Sequence, residues 1–124
     1  MSKANHRRIG AVMEDMAADF VVSNGGRIIA RNYHDGRKGE IDLIIEEKGV
    51  LAFAEVKYRG SLRCGAPEDA VTAEKQRTIR RAAEFYLYRE RRISAADLSV
   101  RFDVISILRT GPSQVHVRWI RGAF

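Results

Sequence analysis

Cysteine is nearly missing from this sequence: Cys64 stands alone among 124 residues. That excludes an internal disulfide and any multi-cysteine zinc site, and it reads as a chain of a reducing compartment. The three histidines, His6, His34 and His116, are scattered without ligand spacing. Prolines are as scarce, and the two present, Pro67 and Pro112, fall at breaks between periodic segments. No apolar run approaches the ~18 residues of a membrane span. Internal repeats, low-complexity tracts and interdomain linkers are also missing. The first eight residues are basic, as a signal peptide's would be. Glu14, Asp15 and Asp19 then occupy the stretch where an apolar segment would have to lie. The expectation is a cytoplasmic protein with no membrane partner.

What remains is a single domain over residues 1–124, a length at which a chain builds a core without staples. Apolar residues at 45% exclude disorder. Lysine and arginine number 22 against 16 acids, a net +6 that favours a polyanionic partner.

Periodicity orders the chain as α-β-β-β-α-β-β. Residues ~5–23 read as an amphipathic helix: at about 100° per residue, Ile9, Met13, Met16, Ala17 and Phe20 form one stripe, with Val12 and Val21 at its edges. Glu14 borders that stripe, while Asp15 and Asp19 point away, and Asn24-Gly25-Gly26 stops the helix. Three strand-like runs follow, Arg27–Asn32, Glu40–Glu46 and Val50–Tyr58. A loop over Tyr33–Gly39 and a turn at Lys48-Gly49 join them into an antiparallel meander. A loop over Arg59–Val71 leads to a helix at ~73–90 with Thr72 as N-cap and Ile79, Ala82, Ala83, Tyr86 and Leu87 as its apolar stripe. Val100–Leu108 and Val115–Ile120 close the chain as strands around a turn at Thr110–Pro112. The second helix can act as a crossover that makes the third and fourth strands parallel. The fold class is α/β, with a mixed central sheet flanked by helices.

Strands two and three carry carboxylates where carboxylates do not belong. Alternation puts Glu40 and Asp42 on one face, and Glu55 and Lys57 on one face. If Lys48-Gly49 is a two-residue turn, Asp42 faces Glu55 and Glu40 faces Lys57, whereas a three-residue turn breaks this pairing. Opposed carboxylates destabilise a sheet, and segments as apolar as Leu43–Ile45 and Leu51–Ala54 are poor hosts for them. A divalent cation would offset the cost: Mg²⁺ takes one or two carboxylates and keeps waters that a phosphate can share. A lysine two residues on could assist the attacking water or stabilise charge on phosphorus. Asp42, Glu55 and Lys57 therefore suggest a metal-assisted hydrolase site. An equally weighted reading is a salt-bridged strand end, with Glu40 paired to Lys57, and Asp42 and Glu55 to nearby arginines.

Gly10 with Glu14, Arg31-Asn32-Tyr33, Gly39-Glu40-Ile41-Asp42-Leu43-Ile44, Phe53-Ala54-Glu55-Val56-Lys57, Lys75, Arg101-Phe102-Asp103-Val104 and Ala123-Phe124 together resemble the YraN family of small bacterial proteins described as predicted endonucleases. The resemblance implies the PD-(D/E)XK fold, a restriction-endonuclease-like αβββαβ core similar to that of archaeal Holliday junction resolvases. It implies Mg²⁺ or Mn²⁺ as cofactor, held by Asp42, Glu55, the Val56 carbonyl and Glu14, with Lys57 as the catalytic lysine. Lys75 or Gln76 falls where related nucleases keep a polar helix residue beside the site. One departure is visible: Ile41 precedes Asp42, where the motif's name has proline.

The implied partner is DNA, branched or junction DNA included. Arg37 and Lys38 enter the strand bearing Asp42, and Arg59 and Arg63 follow Lys57. All four are candidate phosphate contacts, which position a substrate without reading sequence. The arginine-rich second helix can follow a phosphate backbone or simply face solvent. Glu40 is read as a partner of Lys57 or an extra ligand, Asp103 as structural, and Trp119 and Tyr86 as core or interface residues. A domain with a radius of gyration near ~14 Å covers little more than one duplex turn, so cutting two strands calls for a homodimer. Two other classes stay open: a non-catalytic nucleic-acid-binding module with the same fold, and an interaction protein of the replication or repair machinery.

Overall fold

The computed structural model describes residues 3–36, 39–60, 71–91 and 99–124, the side chains of 3–9 and 91 excepted. Helix α1 (Lys3–Ser23) is followed by strands β1 (Arg27–His34), β2 (Glu40–Glu47) and β3 (Val50–Arg59). Helix α2 (Ala73–Tyr86) then runs into a π-helical turn, Leu87–Arg91, and strands β4 (Val100–Gly111) and β5 (Gln114–Ile120) complete the order. The five strands form one sheet in sequence order, β1-β2-β3-β4-β5. Only β3 and β4 are parallel, from Leu51 opposite Val100 to Arg59 opposite Leu108, with α2 in the crossover between them. The expected α/β fold with a mixed sheet is what the chain forms, and its order is that of the αβββαβ core with one further strand.

Local chemistry explains the joints. Lys48 and Gly49 have φ of 50° and 80°, the two left-handed residues of a hairpin turn whose twist matches that of its strands. This fixes the β2–β3 register, with Leu43 opposite Ala54 and Ile44 opposite Phe53. At the end of α1, Gly25 takes a φ of 94° and the Gly26 N–H donates to the Val21 carbonyl at 2.9 Å, closing the helix. A Cβ at Gly26 would collide with Val21 and crowd Trp119 and Ile45. At the start of α2, Thr72 is the N-cap, its hydroxyl accepting from the Lys75 N–H at 3.1 Å.

Each face of the sheet carries its own core. Ile44, Leu51, Phe53 and Val104 pack with Ile79, Ala82, Ala83, Tyr86 and Leu87 of the α2 region. Leu43, Ile45, Ala52, Ala54, Ile105, Ile107 and Trp119 pack with Ala17, Ala18 and Val21 of α1. The alternation along β3, with Leu51 and Phe53 one way and Ala52 and Ala54 the other, is the period-two pattern of a doubly covered sheet. Several boundaries differ from the sequence reading. β1 extends through Tyr33 and His34, which pair with Ile41 and Glu40. β4 runs to Gly111, and the turn lies at Pro112-Ser113 instead of Thr110–Pro112. α2 gives way to the π turn at Leu87. Val12, expected at the edge of the α1 stripe, is 51% exposed.

Remote from Asp42 along β2, the sheet is closed by a polar clamp. Asp103 is fully buried and accepts hydrogen bonds from Arg101, the Trp119 indole and the Gly122 N–H at 2.8–2.9 Å. Glu47 holds Arg121 through two bonds at 2.7 and 2.8 Å and Arg101 at 3.0 Å. Arg121 also lies 3.8 Å over the Trp119 ring. Asp103 is thus structural, as read from the sequence.

Candidate functional site

The β2–β3 ladder ends at Leu43 opposite Ala54. One step beyond, strict alternation fails: Ile41 packs with Ile44 in the α2 cluster, while Leu43, between them, faces α1. Asp42 occupies this irregularity. Its Oδ2 accepts a hydrogen bond from the Val56 N–H of β3 at 2.8 Å. Burial pushes the half-buried Asp42 carboxyl up to about 7, the charge of Glu55 adds to the rise, and the Val56 bond opposes it. Glu55 is only 6% exposed, and burial raises its carboxyl too, against the pull of Lys75 and Lys57.

The two lysines sit on one side of Glu55. Lys57 Nζ lies 3.6 Å from Glu55 Oε1, and Lys75 Nζ, from the first turn of α2, lies 3.9 Å from the same oxygen. The other oxygen, Oε2, is buried and has no hydrogen-bond donor among the described residues. From α1, Glu14 comes within reach: one oxygen each of Glu14, Glu40 and Asp42 lie within 4.8 Å of one another. Among the described residues these three carboxylates form a donor set that suits a hard divalent cation; Glu55 stands outside that group and adds a buried oxygen to which no described residue donates.

The sequence-derived residues are distributed unevenly around this centre. Asp42, Glu55, Lys57 and Lys75 are together, and Glu14 meets Asp42 across the sheet end. Val56 is adjacent through its N–H. Gln76 spends its amide on the Val71 carbonyl at 3.1 Å. Arg59 is 7% exposed, so burial keeps it from being the open phosphate contact expected of it. Arg37, Lys38 and Arg63 lie outside the described residues. Glu40 also departs from the reading: its ion-pair contact is His34 at 4.0 Å, while the Lys57 ammonium belongs to Glu55. Glu40 joins the acidic cluster instead. The alternative of arginine partners for Asp42 and Glu55 finds no such pair among the described residues. Two residues given no role from sequence, Arg31 and Asn32, contact the cluster: Asn32 Nδ2 donates to Glu14 Oε2 at 3.0 Å, and Arg31 lies 4.0 Å from it. The available signal was an asparagine closing an otherwise strand-like run.

A sequence profile described as uncharacterised protein family UPF0102 matches residues 13–107. The chain belongs to UPF0102. This is the YraN family of the resemblance noted above. A UPF0102 protein of Chromohalobacter salexigens is 43% identical, over 100% of this chain and 98% of its own length. Another from Symbiobacterium thermophilum is 44% identical, covering 95% and 97%, and one from Solibacter usitatus 45%, covering 97% and 86%. The UPF0102 match runs from the helix residue before Glu14 into β4, so it contains every residue of the acidic centre. Among the described residues, no helix is long and apolar enough to cross a membrane.

Proposed function

We propose that this UPF0102 protein is a divalent-metal-dependent nuclease that hydrolyses phosphodiester bonds of DNA. The observation that carries the reading is half-buried Asp42 beside buried Glu55, one of whose oxygens finds no donor among the described residues while a lysine ammonium stands 3.6 Å from the other. Neighbouring like charges are costly in such a place, and Mg²⁺ or Mn²⁺ relieves that cost while leaving positions for a phosphate. Asp42, Glu55 and Glu14 would hold the ion with the Val56 carbonyl, and Glu40 is near enough to join them. When bound, the cation acts as a Lewis acid on the scissile phosphate.

Lys57 would hold the attacking water or offset charge gathering on the phosphate oxygens. Lys75, tethered to the same carboxylate, would meet a substrate phosphate, with Arg37, Lys38 and Arg63 added on sequence grounds. One such centre cuts one strand, so cutting both strands or a four-way junction symmetrically would take a C₂ homodimer.

The test is cleavage of plasmid, flap and four-way-junction DNA with Mg²⁺ or Mn²⁺. The parent should cut at least one substrate, and Asp42→Asn should slow it by about a hundredfold or more, as loss of a metal ligand does. If nothing is cut and calorimetry finds no Asp42-dependent Mn²⁺ uptake, the reading fails. DNA bound equally by the parent and by a Glu55→Ala/Lys57→Ala variant, and cut by neither, would leave a binding module with a nuclease fold.

A further inference from the structure

Strand β1 breaks its own geometry at Asn32. The φ there is 52°, a left-handed conformation that asparagine tolerates better than other side-chain-bearing residues. In a regular strand, Arg31 and Asn32 would point to opposite faces. Here both reach α1: Arg31 Nη2 donates to Asp15 Oδ1 at 2.6 Å, and Asn32 Nδ2 donates to Glu14 Oε2 at 3.0 Å. The next residue, Tyr33, goes to the other side, where its ring meets Tyr86 edge-on at 5.1 Å.

A glutamate on a helix surface ordinarily samples many rotamers, and fixing it costs entropy. Glu14 is instead held from β1 by an amide, while one of its oxygens stays within 4.8 Å of oxygens of Glu40 and Asp42. Three carboxylates this close repel one another. The amide and the Arg31 guanidinium, 4.0 Å away, are the positive counterweights on the Glu14 side.

We infer that Asn32 is a positioning residue: its left-handed backbone aims the side-chain amide at Glu14 and holds that carboxylate toward Asp42, so that a divalent cation meets a third protein carboxylate already in place. This rests on the metal-binding reading proposed above. Arg31 assists by fixing the neighbouring Asp15 and adding charge near Glu14. The left-handed residue in β1 accordingly serves the acidic centre as well as the packing of Tyr33.

The test is Mn²⁺ titration calorimetry on the metal-free full chain, comparing the parent, Asn32→Gly, Glu14→Ala and the double variant. Glycine keeps the left-handed backbone and removes only the amide. Asn32→Gly should weaken Mn²⁺ binding by about tenfold, the usual scale for an outer-shell partner of a ligand. In the Glu14→Ala background the same substitution should change nothing further, because Asn32 acts through Glu14. Unchanged affinity in Asn32→Gly overturns the inference and leaves the metal reading standing. A loss that persists undiminished in the double variant does the same, and it is also what a general loss of fold would produce. A parent that takes up no Mn²⁺, or whose uptake survives Asp42→Asn, overturns the metal reading and this inference with it.

Discussion

Asp42 and Glu55 each keep a carboxylate where burial works against its charge; the charge of Glu55 adds to the strain on Asp42, and that of Glu40 to the strain on both. In the metal-free protein this is a local liability. Asp42→Asn removes one charge and leaves an oxygen to accept from Val56, so it should stabilise the apo protein by about 1–2 kcal/mol. A thermal melt without divalent ions checks the sign. Glu47 is the opposite case. Hydrogen bonds from Arg121, then from Arg101, hold its carboxyl at about 2, well below its ordinary value. Its folded-state pKa is depressed, so its contribution is present above the unfolded value and disappears as pH falls through that value toward 2. Denaturant melts between roughly pH 5 and 2 should show stability falling in the parent and a flatter profile in Glu47→Gln. That variant should also be less stable at pH 7, by about 1–3 kcal/mol, since the two arginines lose a charged partner. At this scale Asp42, Glu55 and Lys57 were legible because acids in an apolar hairpin violate the pattern around them. Arg59 was misread because a basic residue after a strand looks exposed, and only the packed structure reveals its burial.

At the scale of elements, the Lys48-Gly49 turn has more influence than its two residues suggest. It sets the register that carries Asp42 toward Glu55, and a slip of one residue would exchange the faces of β2. Inserting one glycine between Lys48 and Gly49 should therefore abolish Asp42-dependent Mn²⁺ uptake and lower the melting temperature. Thr72→Ala, which deletes the cap of α2, should cost about 1 kcal/mol and no more; circular dichroism melts compare the two. Both helices, all five strands and the parallel β3–β4 pair followed from periodicity and link length. The extension of β1 did not, because Tyr33–Gly39 has a loop's composition and the pairing of Tyr33 and His34 with β2 is a tertiary event. Nor did the break in alternation at Asp42: Ile41 and Ile44 share a core although three positions separate them, which period-two reasoning cannot foresee.

The whole molecule divides into a local half and a distant half. β1, β2 and β3 are chain neighbours, with short connections, and they carry Asn32, Asp42 and Glu55. β4 and β5 arrive only after the long crossover, and they bring the Asp103 clamp. The placement of Glu47 within that clamp, gripping arginines of β4 and the segment after β5, was invisible in the sequence because its partners Arg101 and Arg121 are remote along the chain. Yet Leu51 must find Val100, and Arg59 must find Leu108. Closing a loop of that length is entropically expensive and gives no return until the pairing is complete. The meander is therefore the part able to form early. Ile44→Val should slow refolding, whereas Ile107→Val should leave refolding nearly unchanged and quicken unfolding, as stopped-flow chevrons would read. A chain emerging from the ribosome would thus assemble most of its acidic centre before the strand that locks the sheet has been made.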